Sequence, residues 1–146
     1  MFVLLPSVGV ALPHRAGTLR FGMTEREAQW PISTLSDVRE EWLCVRTRST
    51  GVAWAFHATY GDLTISVCGG PSLDEVRFTR LGDPAPTTPG RVPVVWEDLD
   101  LFGYPADEVF SALAGLRPAG LTLGRHGPAY LDSASLARPE RRRPVT

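Results

Sequence analysis

The sequence predicts an α+β fold, a central antiparallel meander sheet of about four to six strands with two short helices packed on one face. Three observations predict it. Apolar residues alternate with period two between Trp42 and Leu81, a helix-start signature lies on each side of that region, and 43% hydrophobic residues in a 146-residue chain suffice for one core. A chain of this length buries roughly 68% of its unfolded surface, so it needs no disulfide or metal to hold it together. Residues 1–137 read as one domain. Arg138 to Thr146 read as a disordered basic tail, with four Arg against one Glu.

In chain order, the first element is a short strand from Thr18 to Met23. Thr24-Glu25-Arg26-Glu27 follows as a capping box, with Thr24 as N-cap, Glu27 at N3, and Met23 and Ala28 as the hydrophobic staple. Trp30-Pro31 then stops this helix early, because a proline pushes the residue before it out of the α region. Three strands follow. Val52, Trp54, Phe56 and Ala58 share a face of the first, Leu63, Ile65 and Val67 of the second, and Val76 and Phe78 of the third. A hairpin over Thr59-Tyr60-Gly61-Asp62 pairs Ala58 with Leu63, Phe56 with Ile65 and Trp54 with Val67. The same register sets His57 opposite Thr64 and Cys68 opposite Ala53.

The proline-rich segment from Asp83 to Arg91 ends the meander. Val92, Val94 and Trp96 form an edge strand, since Pro93 cannot donate to a ladder. Pro105 at N1, Asp107 and Glu108 in the first turn, and the stripe Val109, Phe110, Leu113 and Leu116 make the second helix. Gly120 to Gly124 and Ala129 to Leu131 add two short strands. The segment from Phe21 to Ala28 is echoed by Phe102 to Val109, each with a Phe-Gly followed by a helix start, so two strand-to-helix units flank the meander.

Composition excludes several chemistries. All 15 basic residues are Arg, with no Lys and no Asn, as a GC-rich genome favours. A Schiff-base or P-loop lysine and an N-glycosylation acceptor are therefore impossible. The net charge of −1 disfavours nucleic-acid coating, which leaves nucleic-acid contact through the Arg-rich tail as one alternative. Cys44 and Cys68 match no zinc spacing, and each sits in an apolar run as a reduced residue. No metal or cofactor is expected. Met1 to Leu5 lacks the basic flank and cleavage site of a signal peptide and no apolar run reaches the roughly 20 residues of a membrane span, so a cytoplasmic location is expected.

Two candidate sites remain. Glu97, Asp98, Asp100, Asp107 and Glu108 are five acids without an intervening Arg, and the exposed aromatic Tyr104 lies among them. Glu97, Asp98, Asp100 and Tyr104 are the candidate contacts for a protein partner with a basic surface. The alternative is a small-molecule site or small enzyme on the polar face of the meander, using His57, Ser66 and Arg77. His14 and His126 fall in Gly- and Pro-rich connections and read as loop residues. Among catalytic constellations, a Cys68/His57 dyad fails because the expected register sets the two roughly 14 Å apart.

Leu19-Arg20-Phe21-Gly22-Met23-Thr24, followed by a short helix and a meander, resembles the GMT helix start of small SmpA/OmlA-type α/β modules. With the later Asp100-Leu101-Phe102-Gly103 the chain also looks like small actinobacterial proteins that carry GMT and DLFG segments. The resemblance implies a non-enzymatic protein-binding scaffold, accessory or immunity-like in role. The lipidated Cys of the lipoprotein members has no counterpart here, so membrane anchoring does not carry over.

Overall fold

A computed structural model describes residues 1–40, 54–82, 85–114, 116 and 120–139. The fold is α+β, with two helices and two sheets. The strands are β1 (Phe2–Leu5), β2 (Gly9–Ala11), β3 (Thr18–Arg20), β4 (Arg39–Glu40), β5 (Trp54–Tyr60), β6 (Leu63–Gly69), β7 (Leu73–Arg80), β8 (Val94–Trp96), β9 (Leu99–Asp100), β10 (Leu121–Gly124) and β11 (Ser133–Ala137). The helices are α1 (Glu25–Ser33) and α2 (Ala106–Leu113). The larger sheet is antiparallel with strand order β10-β11-β7-β6-β5-β4 and contains the expected meander. The second sheet, in order β3-β2-β1-β8-β9, was not expected. It joins β1 to β8 in parallel, with Phe2 beside Val94.

One core lies between the sheets. Phe56, Ala58, Leu63, Ile65, Val67, Val76 and Phe78 come from the larger sheet, and Phe2, Leu4, Val10, Leu19 and Val94 from the smaller one. Phe2 bridges them, its ring centroid 5.0 Å from Phe78 and 5.4 Å from Tyr60. The helices do not share one face of a single sheet. α1 packs against both β3 and β5, and so spans the two sheets.

The capping box forms as the residue types dictate. Thr24 Oγ1 accepts from Glu27 N at 3.3 Å, and Thr24 N donates to Glu27 Oε1 at 3.1 Å. Pro31, however, does not stop the helix. α1 runs on to Ser33 because the residues gained, Pro31 and Ile32, are buried. The Ser33 hydroxyl then donates to Trp30 O at 2.6 Å and that of Thr34 to Pro31 O at 2.7 Å, satisfying carbonyls of the last turn that have no partner within the helix.

The hairpin register differs from the expectation by two residues. The loop is the two-residue Gly61-Asp62, with Tyr60 opposite Leu63, so Ala58 meets Ile65, Phe56 meets Val67 and Trp54 meets Gly69. Gly61 at φ +59° makes the shorter turn accessible. An even slip keeps every side chain on its expected face, so the apolar face stays buried. Trp54 instead covers Gly69, where a Cβ would lie 2.7 Å from its Cζ2. Val52, Ala53 and Cys44 lie outside the described residues.

Further corrections follow from long-range pairing. β8 is not an edge strand, because β1 and β9 flank it and Pro93 lies just outside it, offering its carbonyl to Phe2 N. Pro105 is the N-cap rather than N1, and α2 buries Ala106, Val109 and Leu113 while Phe110 and Leu116 are exposed. A helix ending at Leu113 cannot carry the stripe to Leu116. The last strand is Ser133–Ala137, not Ala129 to Leu131. The two echoed units do flank the meander in the chain, and β3 and β9 are the opposite edges of the second sheet. Among the described residues no helix is long and apolar enough to cross a membrane.

Candidate functional site

The acidic segment begins on a tight turn. Trp96 pairs with Leu99, which leaves Glu97 and Asp98 as a two-residue loop at φ +45° and +67°. Two consecutive positive φ values define a type I′ turn, the form whose twist matches a β-hairpin and which normally takes Asn-Gly. Holding two non-glycine residues there costs on the order of 1 kcal/mol each. Both carboxylates are exposed at the tip of the β8–β9 hairpin.

The remaining acids differ in role. Asp100 Oδ1 accepts from Phe102 N at 3.2 Å and Gly103 N at 3.1 Å, so it shapes its own loop. Gly103 is needed there, since a Cβ would collide with that carboxylate. Asp107 is paired across space with Arg125 at 2.6 Å, from the loop between β10 and β11. Glu97, Asp98 and Glu108 make no ion pair among the described residues. Tyr104 is 49% and Phe110 41% exposed, and these aromatics belong to the same stretch of chain. Glu97, Asp98, Tyr104, Glu108 and Phe110 are thus the exposed acids and aromatics of the segment, and Asp100 is structural rather than available.

The alternative site is more coherent than its expected register implied. Ser66 lies directly opposite both His57 and Arg77, so the three form one lateral row across β5, β6 and β7. Arg39 extends the row on one side, and Ser135 and Thr122 on the other. Opposed side chains of this kind have Cβ atoms about 5 Å apart. His57 and Ser66 are half-buried and Arg77 is exposed. Arg77 Nη2 already contacts Glu75 Oε1 at 3.3 Å, and Glu75 is buried, so a ligand there competes with an existing ion pair.

His57 faces Ser66 rather than Thr64, and Cys68 faces Ala55 rather than Ala53. This brings Cys68 to a diagonal position two residues from His57, about 7 Å instead of the expected 14 Å, a spacing that long side chains can span, so the register no longer separates the two. His14 Nε2 is 2.8 Å from the Tyr60 hydroxyl, which links the loop after β2 to the larger sheet. His126, expected as a plain loop residue, bonds Asp132 across the β10–β11 connection. Among the described residues no group of three or more His, Cys, Asp or Glu is placed to hold a metal ion. Residues 140–146 of the Arg-rich tail lie outside the described residues. Comparison with protein-family models, with curated proteins and with solved structures finds no match to this chain.

Proposed function

We propose that this chain is a protein-binding module that docks a partner with a basic surface on the stretch from Glu97 to Phe110. The observation that carries this reading is the turn itself. Two carboxylates occupy the left-handed positions of a hairpin tip where Asn-Gly would be lower in energy, and local strain of this kind concentrates where a surface has a use. Tyr104 and Phe110 supply the aromatic contact area that protein interfaces favour, and Glu108 adds to the charge. The resemblance of the GMT and DLFG segments to small partner-binding modules points the same way, and a cytoplasmic setting belongs to the same proposal.

The test leaves Asp100 intact, because its replacement would disturb the loop. Reversing the tip with Glu97→Arg and Asp98→Arg is expected to lower retention of a partner captured by the wild-type chain at least tenfold, and salt is expected to weaken the wild-type complex. Equal partner retention by the reversed variant, measured by quantitative mass spectrometry, counts against the acidic surface.

The His57, Ser66 and Arg77 row favours a second reading, a site for a small anion. Inorganic phosphate or citrate at 100 times its Kd would stabilise the wild-type chain by about 2.7 kcal/mol, read as a rise in Tm. His57→Ala and Arg77→Ala are each expected to abolish that rise. A rise that persists in both variants removes this row as the site.

A further inference from the structure

We propose that His126 and Asp132 form an acid–base dyad that hydrolyses carbonyl esters by activating water at His126 Nε2. The side chain of His126 is 73% exposed and that of Asp132 only 10%. Asp132 Oδ2 bonds His126 Nδ1. A carboxylate only accepts, so Nδ1 carries the hydrogen and Nε2 presents its lone pair. The imidazole stands in solvent, where a substrate can meet it.

The other carboxylate oxygen strengthens the case. Asp132 Oδ1 is buried and has no hydrogen-bond partner among the described residues. Oδ2 is therefore the oxygen through which this carboxylate orients the ring. A buried carboxylate that orients an imidazole and stabilises its protonated form is what general-base catalysis requires. Here the anion is buried and the base is presented.

The surrounding chain holds this geometry. Asp132 N donates to Gly124 O at 3.0 Å, and Asp132 O accepts from Arg80 N at 2.8 Å. Arg125 spans the loop, donating to Gly127 O at 3.0 Å, Pro128 O at 3.3 Å and Asp107 Oδ1 at 2.6 Å. Gly124 leaves room for the carboxylate, since a Cβ there would collide with Ser133 Oγ and lie 3.0 Å from Asp132 Oδ1. Among the described residues no serine, threonine or cysteine bonds this imidazole, and the nucleophile we assign is water.

In the reaction, Nε2 removes a proton from water as the water oxygen bonds to the ester carbonyl carbon and the π pair moves to the carbonyl oxygen. Asp132 holds the resulting imidazolium. When the carbonyl re-forms, the bond to the leaving oxygen breaks and that oxygen takes the proton from Nε2. The products are a carboxylic acid and an alcohol or phenol, and the imidazole is restored.

The probe is p-nitrophenyl acetate with the full chain. Release of p-nitrophenol per molecule is expected at least tenfold above free imidazole at equal concentration. His126→Ala should abolish the excess, and Asp132→Asn should lower it at least tenfold, whereas His14→Ala should leave it unchanged. Asp132 acts as a positioning residue, so Asp132→Asn should lower kcat and leave KM unchanged, a split that a merely structural role would not produce, and nitrogen-15 NMR reads the tautomer. In the wild-type chain Nε2 is expected as the bare ring nitrogen, and Asp132→Asn should mix the two tautomers. If circular dichroism shows Asp132→Asn unfolded, His126→Ala and the wild-type tautomer decide. A wild-type rate no greater than that of imidazole, an undiminished rate in His126→Ala, or a proton resident on Nε2 overturns the proposal.

Discussion

Phe78→Ala is expected to destabilise the fold by about 3–5 kcal/mol, a large part of the roughly 5–15 kcal/mol available to a domain. Phe78 is fully buried on β7, with its ring 5.0 Å from Phe2 of the other sheet. Truncation removes transfer energy and leaves a cavity that two hydrogen-bonded sheets collapse into only partly. A fall in Tm of about 10–15 °C is expected by calorimetry, and about a third of that for Phe78→Leu, which keeps more of the volume. Phe2→Ala should act on a similar scale. Because the two rings touch, the double variant should lose about 0.5–1.5 kcal/mol less than the single losses added together. Strict additivity would mean that the sheets do not share a core at this point. The hairpin bearing Glu97 and Asp98 belongs to Phe2's sheet, so this contact also fixes where the acidic surface stands.

Those two sheets differ in how far the sequence discloses them. The capping box at Thr24 and Glu27 is legible because its hydrogen bonds span three residues. The meander is legible because burial on one face imposes a period of two. Its register is not, since a slip of two residues preserves that pattern and only the preference for a two-residue turn at Gly61-Asp62 decides it. The second sheet leaves weaker traces. Phe2 pairs with Val94, and β8 and β9 are three and two residues long, too short for any periodicity to show. Met1 to Leu5 invites comparison with a leader segment for the same reason. At the candidate site the charge of Glu97, Asp98 and Glu108 is plain in the sequence. The backbone of the tip is not, because Glu-Asp carries no type I′ signal. His126 and Asp132 meet only once β10 and β11 are paired, which brings Gly124 opposite Ser133. Reading Ala129 to Leu131 as the strand hides that pairing.

Gly9→Ala is expected to cost about 3 kcal/mol or more, although it adds a single methyl group. Gly9 has φ +148°, a conformation that L residues rarely adopt. Its pairing with Leu5 on one side and Arg20 on the other places it in the middle of the β1-β2-β3 arrangement. A Cβ would overlap the Leu19 carbonyl oxygen and lie 2.8 Å from Leu19 C and 3.0 Å from Arg20 Cα. These are backbone atoms held in a ladder, so no side-chain rotation relieves the collision and β3 must separate from β2. Gly22→Ala separates the two causes. Gly22 is also at positive φ, +97°, but none of the described residues lies within 4 Å of its added Cβ, so only the conformational cost of about 1–2 kcal/mol remains. Thermal melts should therefore show Gly9→Ala losing roughly 10 °C or failing to accumulate as folded protein, with Gly22→Ala losing about half as much. Equal losses would show that backbone conformation alone sets the requirement at Gly9. A negligible loss at Gly9 would mean that β3 does not approach β2 this closely. Because β1 joins β2 to β8, opening this edge should also loosen the hairpin that carries Glu97 and Asp98, and amide exchange at Val95 and Trp96 is expected to quicken in Gly9→Ala but not in Gly22→Ala.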